Sequence, residues 1–275
     1  MLSDRPTRAE ALANTYATID GRTGWARVQQ YQRVLEYRGD HPEAGSQAVA
    51  TALDLPRSRI RPWFSGAKPD PVHAIQTAEA NDWLDTRPGE RTFEALSVLT
   101  AWLFAGGSLG AAQFVPLFAV GDDDPRSLAE SALQAVGTGA QCHRADTDDR
   151  ATELRPAAHA SHLGRFLHAV MGAPLGQKAE QPALALPGWL ETVGASTQLR
   201  WARTYVTVRG TAADPAHGYD CHLREARPES YLAGLGRLFQ SLAPPETVTT
   251  GKQTVRLRPA ATRELNTVPG LPPPS

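Results

Sequence analysis

Apolar positions recur at helical spacing through roughly the first third of the chain. Residues 1–20 carry a weak pattern that predicts a helix. Over 24–38, Trp25, Val28, Tyr31, Val34 and Leu35 follow a period of about 3.6, and Gly39 stops the run. Ser46 is expected to cap a second helix whose Val49, Leu53 and Leu55 share a face. Pro56 and Arg57 then turn the chain into a short third helix ending near Gly66. Residues 68–71 (KPDP) read as loop, 72–84 as a further helix, and 86–91 (TRPGER) as the expected linker.

Beyond residue 92 the pattern changes to helix, strand and amphipathic helix, and then repeats. An apolar helix over 93–109 runs into a glycine pair, followed by a strand at 111–120, a turn at 121–125 and an amphipathic helix at 125–136. A helix over 196–211 again runs into glycine, followed by a strand at 217–226 and an amphipathic helix at 228–243. Gly107 to Gly210, Ser108 to Thr211 and Pro125 to Pro228 are all 103 positions apart. A constant offset at three landmarks predicts a duplicated unit of about a hundred residues. Two copies are too few for a solenoid, so the expected arrangement is one domain of two pseudo-symmetric halves, about 92–180 and 186–268. The domains expected are thus a helical 1–88 and a duplicated 89–268, with 269–275 as a disordered Pro-rich tail. The fold class is α+β.

Composition adds bounds. A chain of 275 residues with 41% apolar content suits two domains. Two cysteines make no disulfide scaffold, which predicts an intracellular protein. No apolar leader and no membrane-length apolar run is present, so the expectation is a soluble, cytoplasmic chain without a membrane partner. Lys+Arg number 28 against 29 Asp+Glu, and this near-neutral total offers no global argument for nucleic acid. The basic set holds only three lysines, a bias that compositional drift explains more readily than phosphate recognition does. Its distribution is more telling: residues 187–275 carry ten basic and seven acidic side chains, the only third with a basic excess.

Two basic clusters follow from this distribution. The segment 46–64 has the form of a helix-turn-helix, with Arg57, Arg59 and Arg61 on the helix that would enter the major groove. Gln47 would meet the backbone, Lys68 would add charge, and Ser58 is expected as the cap that leaves Pro62 near the first turn. A helical hairpin with a solvated basic face fits the same residues. The second cluster lies on a strand at 252–258, where Lys252, Thr254, Arg256 and Arg258 alternate with Val255 and Leu257. Arg263 is expected on the following strand. The corresponding hairpin of the first half is thinner, with His143 or Arg144, then Arg150 and Arg155. An ordinary exposed sheet face is the competing reading.

Metal and nucleotide chemistry find little support. Cys142-His143 and Cys221-His222 are adjacent pairs whose members face opposite ways on a strand, so zinc is not expected. His159, His162 and His168 fall on or near a helix and read as packing residues. Asp122, Asp123 and Asp124 read as a solvated turn. No phosphate-cradling glycine loop and no nucleophile elbow is present.

The two long helices resemble the LAGLIDADG motif, over 99–108 (LTAWLFAGGS) and 201–211 (WARTYVTVRGT). The resemblance covers about 92–268 and implies a saddle of two αββαββ-type halves straddling double-stranded DNA. In active nucleases of that family an Asp before each terminal Gly holds a divalent metal. Gly106 and Arg209 stand there instead, so the resemblance implies no catalytic residue, no metal and no cofactor here. The pairing with a helix-turn-helix resembles the bacterial WhiA-type regulators with the domain order reversed. A non-enzymatic, sequence-specific DNA-binding regulator is therefore expected, with a homodimer or a transcription-machinery contact as further partners. An active homing-type endonuclease, and an interaction module that does not bind DNA, remain as alternatives.

Overall fold

The structure, a computed structural model, describes residues 3–120, 124–143, 152–213, 216 and 218–273. It is mixed α+β, with two compact units, Ser3–Ala80 and Asn81–Ser275.

The first unit is helical. It holds α1 (Arg5–Ala13), α2 (Gly24–Asp40), α3 (Ser46–Leu53), α4 (Arg57–Phe64) and α5 (Asp70–Ala80). Asp4 and Thr23 cap α1 and α2 by accepting from the backbone N–H of Thr7 and Ala26, which satisfies donors the helix leaves open. Val28, Tyr31 and Val34 of α2 bury against Val49 and Ala50 of α3 and Ile60 and Trp63 of α4. Tyr31 and Trp63 meet edge to face with ring centroids 5.4 Å apart. Asp54 ends α3 in the left-handed region, and Pro56, not Ser58, occupies the cap position of α4. The helix consequently starts two residues earlier than expected, and Pro62 lies inside it. Pro62 gives no N–H to the helix, which ends two residues later at Phe64, and its carbonyl accepts from the Ser65 and Ala67 N–H.

The boundary falls earlier than the expected linker. Trp83 is fully buried in the second unit, and its indole N–H donates to the Val136 carbonyl at 3.0 Å. Thr86 is buried too, and Glu90 caps the next helix. The stretch 86–91 is thus folded structure, because the buried ring of Trp83 anchors the residues that follow it in the core.

The second unit runs α6 (Arg91–Ala105), β1 (Ser108–Leu109), β2 (Pro116–Val120), α7 (Asp124–Ala135), β3 (Ala140–His143), β4 (Thr152–Pro156) and α8 (Ala160–Ala169). After two short 3-10 turns it continues with α9 (Ala195–Arg209), β5 (Thr211–Ala212), β6 (Cys221–Arg224), α10 (Glu229–Leu242), β7 (Val248–Thr250), β8 (Thr254–Leu257) and α11 (Pro259–Leu265). Both sheets are antiparallel, with orders β1-β2-β4-β3 and β5-β6-β8-β7. The first, second, fourth and third strands of each series therefore lie side by side in the same sequence.

The long helices α6 and α9 pack against each other at the centre. Every residue of α6 from Phe93 to Ala105 is buried, as expected of a helix apolar all round. Glu94 is its one buried charge, and it accepts from Thr197 Oγ1 at 2.5 Å and Arg200 Nε at 3.0 Å on α9. A Cβ on Gly106 would lie 2.7 Å from Val208 Cγ1, so the end of α6 can approach α9 this closely only without a side chain. The helix caps Gly106 and Gly210 are 104 positions apart, whereas the strand starts Ser108 and Thr211 keep 103. Gly106 is therefore a cap residue, while Arg209 is the last residue of its helix.

Two expectations at the chain's end are corrected. Pro259 opens α11, so Arg263 lies on a helix, not on a following strand; proline at a helix start has the right φ and no N–H to lose. Residues 269–273 of the Pro-rich segment are held in place. Arg200 Nη1 donates to the carbonyls of Pro269 and Gly270 at 2.6 and 2.9 Å, and Arg91 Nη1 to that of Pro272 at 2.6 Å.

Candidate nucleic-acid interface

On α4 the buried positions Ile60 and Trp63 leave Arg57, Ser58, Arg61 and Pro62 on the exposed side. Arg59 is different. Its Nη2 pairs with Asp20 Oδ2 at 2.8 Å and its Nη1 reaches Gln30 at 3.4 Å, so it braces the N-terminal loop to α2 and α4. Gln47 is exposed on α3, and Lys68 donates to Gln76 Oε1 at 2.8 Å in the loop beyond α4. Arg57, Ser58 and Arg61 form the open face of this unit, and Arg59 and Lys68 are engaged elsewhere.

In the second sheet, strand register places side chains. Arg256 pairs with His222 on one side and Thr249 on the other, and Thr254 pairs with Arg224. Directly paired residues share a face, and this face is turned outward, since Cys221, Leu223, Val255 and Leu257 are buried on the other. Arg256 and Arg258 each bring a guanidinium carbon to 5.7 Å from the Tyr219 ring centre. A hydrogen bond with Thr249, then the nearby charges of Arg258 and Arg256, hold the Tyr219 phenol below its usual range. Lys252 is exposed in the bend before β8, Arg258 caps α11, and Arg263 is exposed on that helix. The strand alternation thus covers Thr254 and Arg256 alone of the expected set.

The first sheet is dressed differently. Arg155 on β4 donates to Gln141 on β3 at 3.2 Å, and Glu153 pairs with His143 on one side and Ala119 on the other. Arg144 and Arg150, and Asp122 and Asp123 of the acidic turn, lie outside the described residues. Cys142 is exposed in this sheet and Cys221 buried in the other.

Where the long helices end, a pocket of about 910 Å³ opens. Gly106 and Arg209 both line it, together with Lys178, Glu225 and Arg227. Glu225 has a side chain only 1% exposed. Its Oε2 lies 2.9 Å from Arg227 Nε, and its Oε1 lies 3.3 Å from Arg209 Nε. Tyr205 donates its phenol proton to Oε1 at 2.5 Å, and the Tyr231 hydroxyl donates to Tyr205 at 3.2 Å. Burial, reinforced by these neighbours, pushes the Tyr205 phenol up well above its usual range. Lys178 Nζ donates to the carbonyls of Leu103 and Gly107 at 2.7 and 2.6 Å, closing the C-terminal end of α6. Burial, with Arg227 and Arg209 beside it and Glu225 opposing, brings its pKa down to about 8.

This donor set does not suit a divalent cation. Gly106 has no side chain, Arg209 is cationic, and the one carboxylate that lines the pocket among the described residues is already shared by two guanidiniums. Among the described residues no group of three or more His, Cys, Asp or Glu is arranged to hold a metal. Lys178, Glu225 and Arg227 carry no sequence periodicity that would mark them. Each sits in a connection, and only the folded chain brings them to the helix ends. No helix is long and apolar enough to cross a membrane among the described residues. No protein-family model matches the chain, and no curated protein matches it in sequence.

Proposed function

We propose that this protein is a sequence-specific double-stranded DNA-binding regulator without nuclease activity. In this reading α3 and α4 form a helix-turn-helix, and Asn81–Ser275 is a LAGLIDADG-like saddle that has lost its metal site. The observation that carries the reading is the pair of identically ordered arrays, α6-β1-β2-α7-β3-β4 and α9-β5-β6-α10-β7-β8, centred on two packed helices. The exposed Arg57, Ser58 and Arg61 on α4 support the first part. Arg224 and Arg256 on the outward face of the second sheet, with Arg258 and Lys252 at its ends, support phosphate contacts by the second. The cations around Arg209, where a nuclease of that kind would hold acids, favour binding over cleavage.

Selection of bound genomic fragments at two salt concentrations, with and without Mg²⁺, tests this. The expected result is an enriched duplex sequence that survives the higher salt and is left uncut. Replacing Arg57 and Arg61 together by Ala should weaken binding of that duplex by about thirtyfold or more, since each base-contacting Arg contributes about 1–3 kcal/mol. Retention of no duplex, or cleavage that needs Mg²⁺, overturns the reading.

A further inference from the structure

Among the described residues, four cationic side chains, Arg155, Lys178, Arg209 and Arg227, line the pocket at the helix ends against the single carboxylate of Glu225. That carboxylate is committed to Arg209, Arg227 and Tyr205, and the described side chains that line the pocket carry more positive charge than negative. Arg227 is the telling residue. Its side chain is 6% exposed, its Nε is given to Glu225, and its Nη1 is buried without a hydrogen-bond partner. A buried guanidinium N–H left unpaired is costly and uncommon; this one is closed to solvent, in a side chain that lies beside the Tyr231 ring and lines the pocket, so the side chain must shift to offer it to a ligand. Lys178 spends two N–H groups on backbone carbonyls and retains a third. Leu109, Val115 and Leu117 provide an apolar wall.

We propose that this pocket binds a phosphate group through Arg209, Arg227 and Lys178, without a metal ion. Forked guanidiniums and an ammonium are the usual donors for a tetrahedral oxyanion. The phosphate can be a monoester on a small ligand, for which about 910 Å³ is ample, or a phosphodiester of a duplex backbone. The proposal does not rest on the helix-turn-helix, because none of these residues belongs to the Ser3–Ala80 unit.

Titration calorimetry on the full chain with adenosine monophosphate, inorganic phosphate and a short duplex tests it, using wild type, Arg209→Ala and Lys178→Met. Arg227 is left intact because it neutralises the buried Glu225. Phosphate or the monophosphate should bind wild type and lose about tenfold or more in each variant, the loss of one charge-assisted contact. Lys178 is faced by Arg209, Arg227, Glu225 and two carbonyls, and it sheds its proton near pH 8. Wild-type affinity for the monophosphate should therefore fall between about pH 7.5 and 9 while that of Lys178→Met stays level. Unchanged duplex affinity in Arg209→Ala identifies a small-ligand site. A weaker duplex, with a salt slope lower by about one, identifies a backbone phosphate. Either result upholds the proposal. It is overturned if the variants bind all three probes as wild type does, or if wild type binds none of them. Failure of the DNA-binding reading is separately visible, because it shows in the Arg57/Arg61 variant, which leaves the pocket untouched.

Discussion

Glu94 offers the sharpest test of what joins the two halves of the larger unit. It is 3% exposed near the start of α6, yet it serves α9: Oε1 accepts from Thr197 and from the Gly89 N–H, and Oε2 from Arg200. Glu94→Gln keeps the shape but removes the charge and turns an N–H toward the Arg200 Nε. Breaking a buried ion pair from one side costs about 3–5 kcal/mol. Arg200 is 12% exposed and keeps the Pro269 and Gly270 carbonyls, so some of its charge stays compensated. We expect a loss of about 2–4 kcal/mol, or roughly 5–15 °C in the unfolding midpoint of a unit this size. Trp83, Trp102, Trp189 and Trp201 are buried in this unit and report its unfolding by fluorescence in denaturant. Arg200→Met and the double variant complete a cycle. The double variant should be more stable than the sum of the single losses implies, because the uncompensated partner is gone. A loss below about 0.5 kcal/mol for Glu94→Gln, or strict additivity in the cycle, would refute the assignment of this pair as the strut between α6 and α9.

Three further outcomes are expected. A Cβ on Gly164 of α8 would overlap the Phe114 carbonyl oxygen, so Gly164→Ala should cost about 1–3 kcal/mol in equilibrium unfolding despite the alanine's better helix propensity. Lys178 titrates at about 8 when folded against 10.5 when free, so the unfolded chain holds more protons between those values and stability rises with pH across that window. Relative to Lys178→Met, wild type should gain about 3 kcal/mol from below pH 8 to above 10.5, read as the difference between two denaturant series; a flat difference contradicts the buried ammonium. Arg59→Ala should cost less than about 1 kcal/mol, since its partner Asp20 is largely exposed, and should leave duplex affinity nearly unchanged, in contrast to Arg61→Ala.

Much of the helical framework was legible because burial leaves a periodic trace. Trp25, Val28, Tyr31 and Val34 marked α2, and the mostly apolar run from Phe93 to Ala105, broken only by Glu94, Ser97 and Thr100, marked a helix enclosed on all sides. The 103-residue spacing of Ser108 and Thr211 is kept in the structure, but both residues open short strands where the sequence reads the ends of helices. What was missed has a common cause: the deciding partner lies far away in sequence. Trp83 looked like the end of a helix in the first unit, but the Val136 carbonyl claims it for the second. Arg59 read as an open recognition residue until Asp20, 39 positions earlier, was seen to hold it. Glu225 and Lys178 lie in connections, where no period constrains them, and their meeting at the end of α6 depends on the whole unit. Arg263 was misplaced for a local reason, since the helix-starting role of Pro259 outweighed the apparent strand pattern.

The unlike dressing of the two sheets has a consequence for how a partner would be held. Strands β5 to β8 carry no acidic residue, while β4 of the other sheet sets Glu153 among its outward positions. A dimer of identical subunits presents the same grip twice and reads a palindrome equally well in either sense. On the proposed reading, one covalent chain would instead present two different grips, fixed in order by its own backbone. A long partner laid across both would bind in one orientation in preference to its reverse, so the molecule has a built-in sense of direction, a left hand and a right hand that cannot be exchanged.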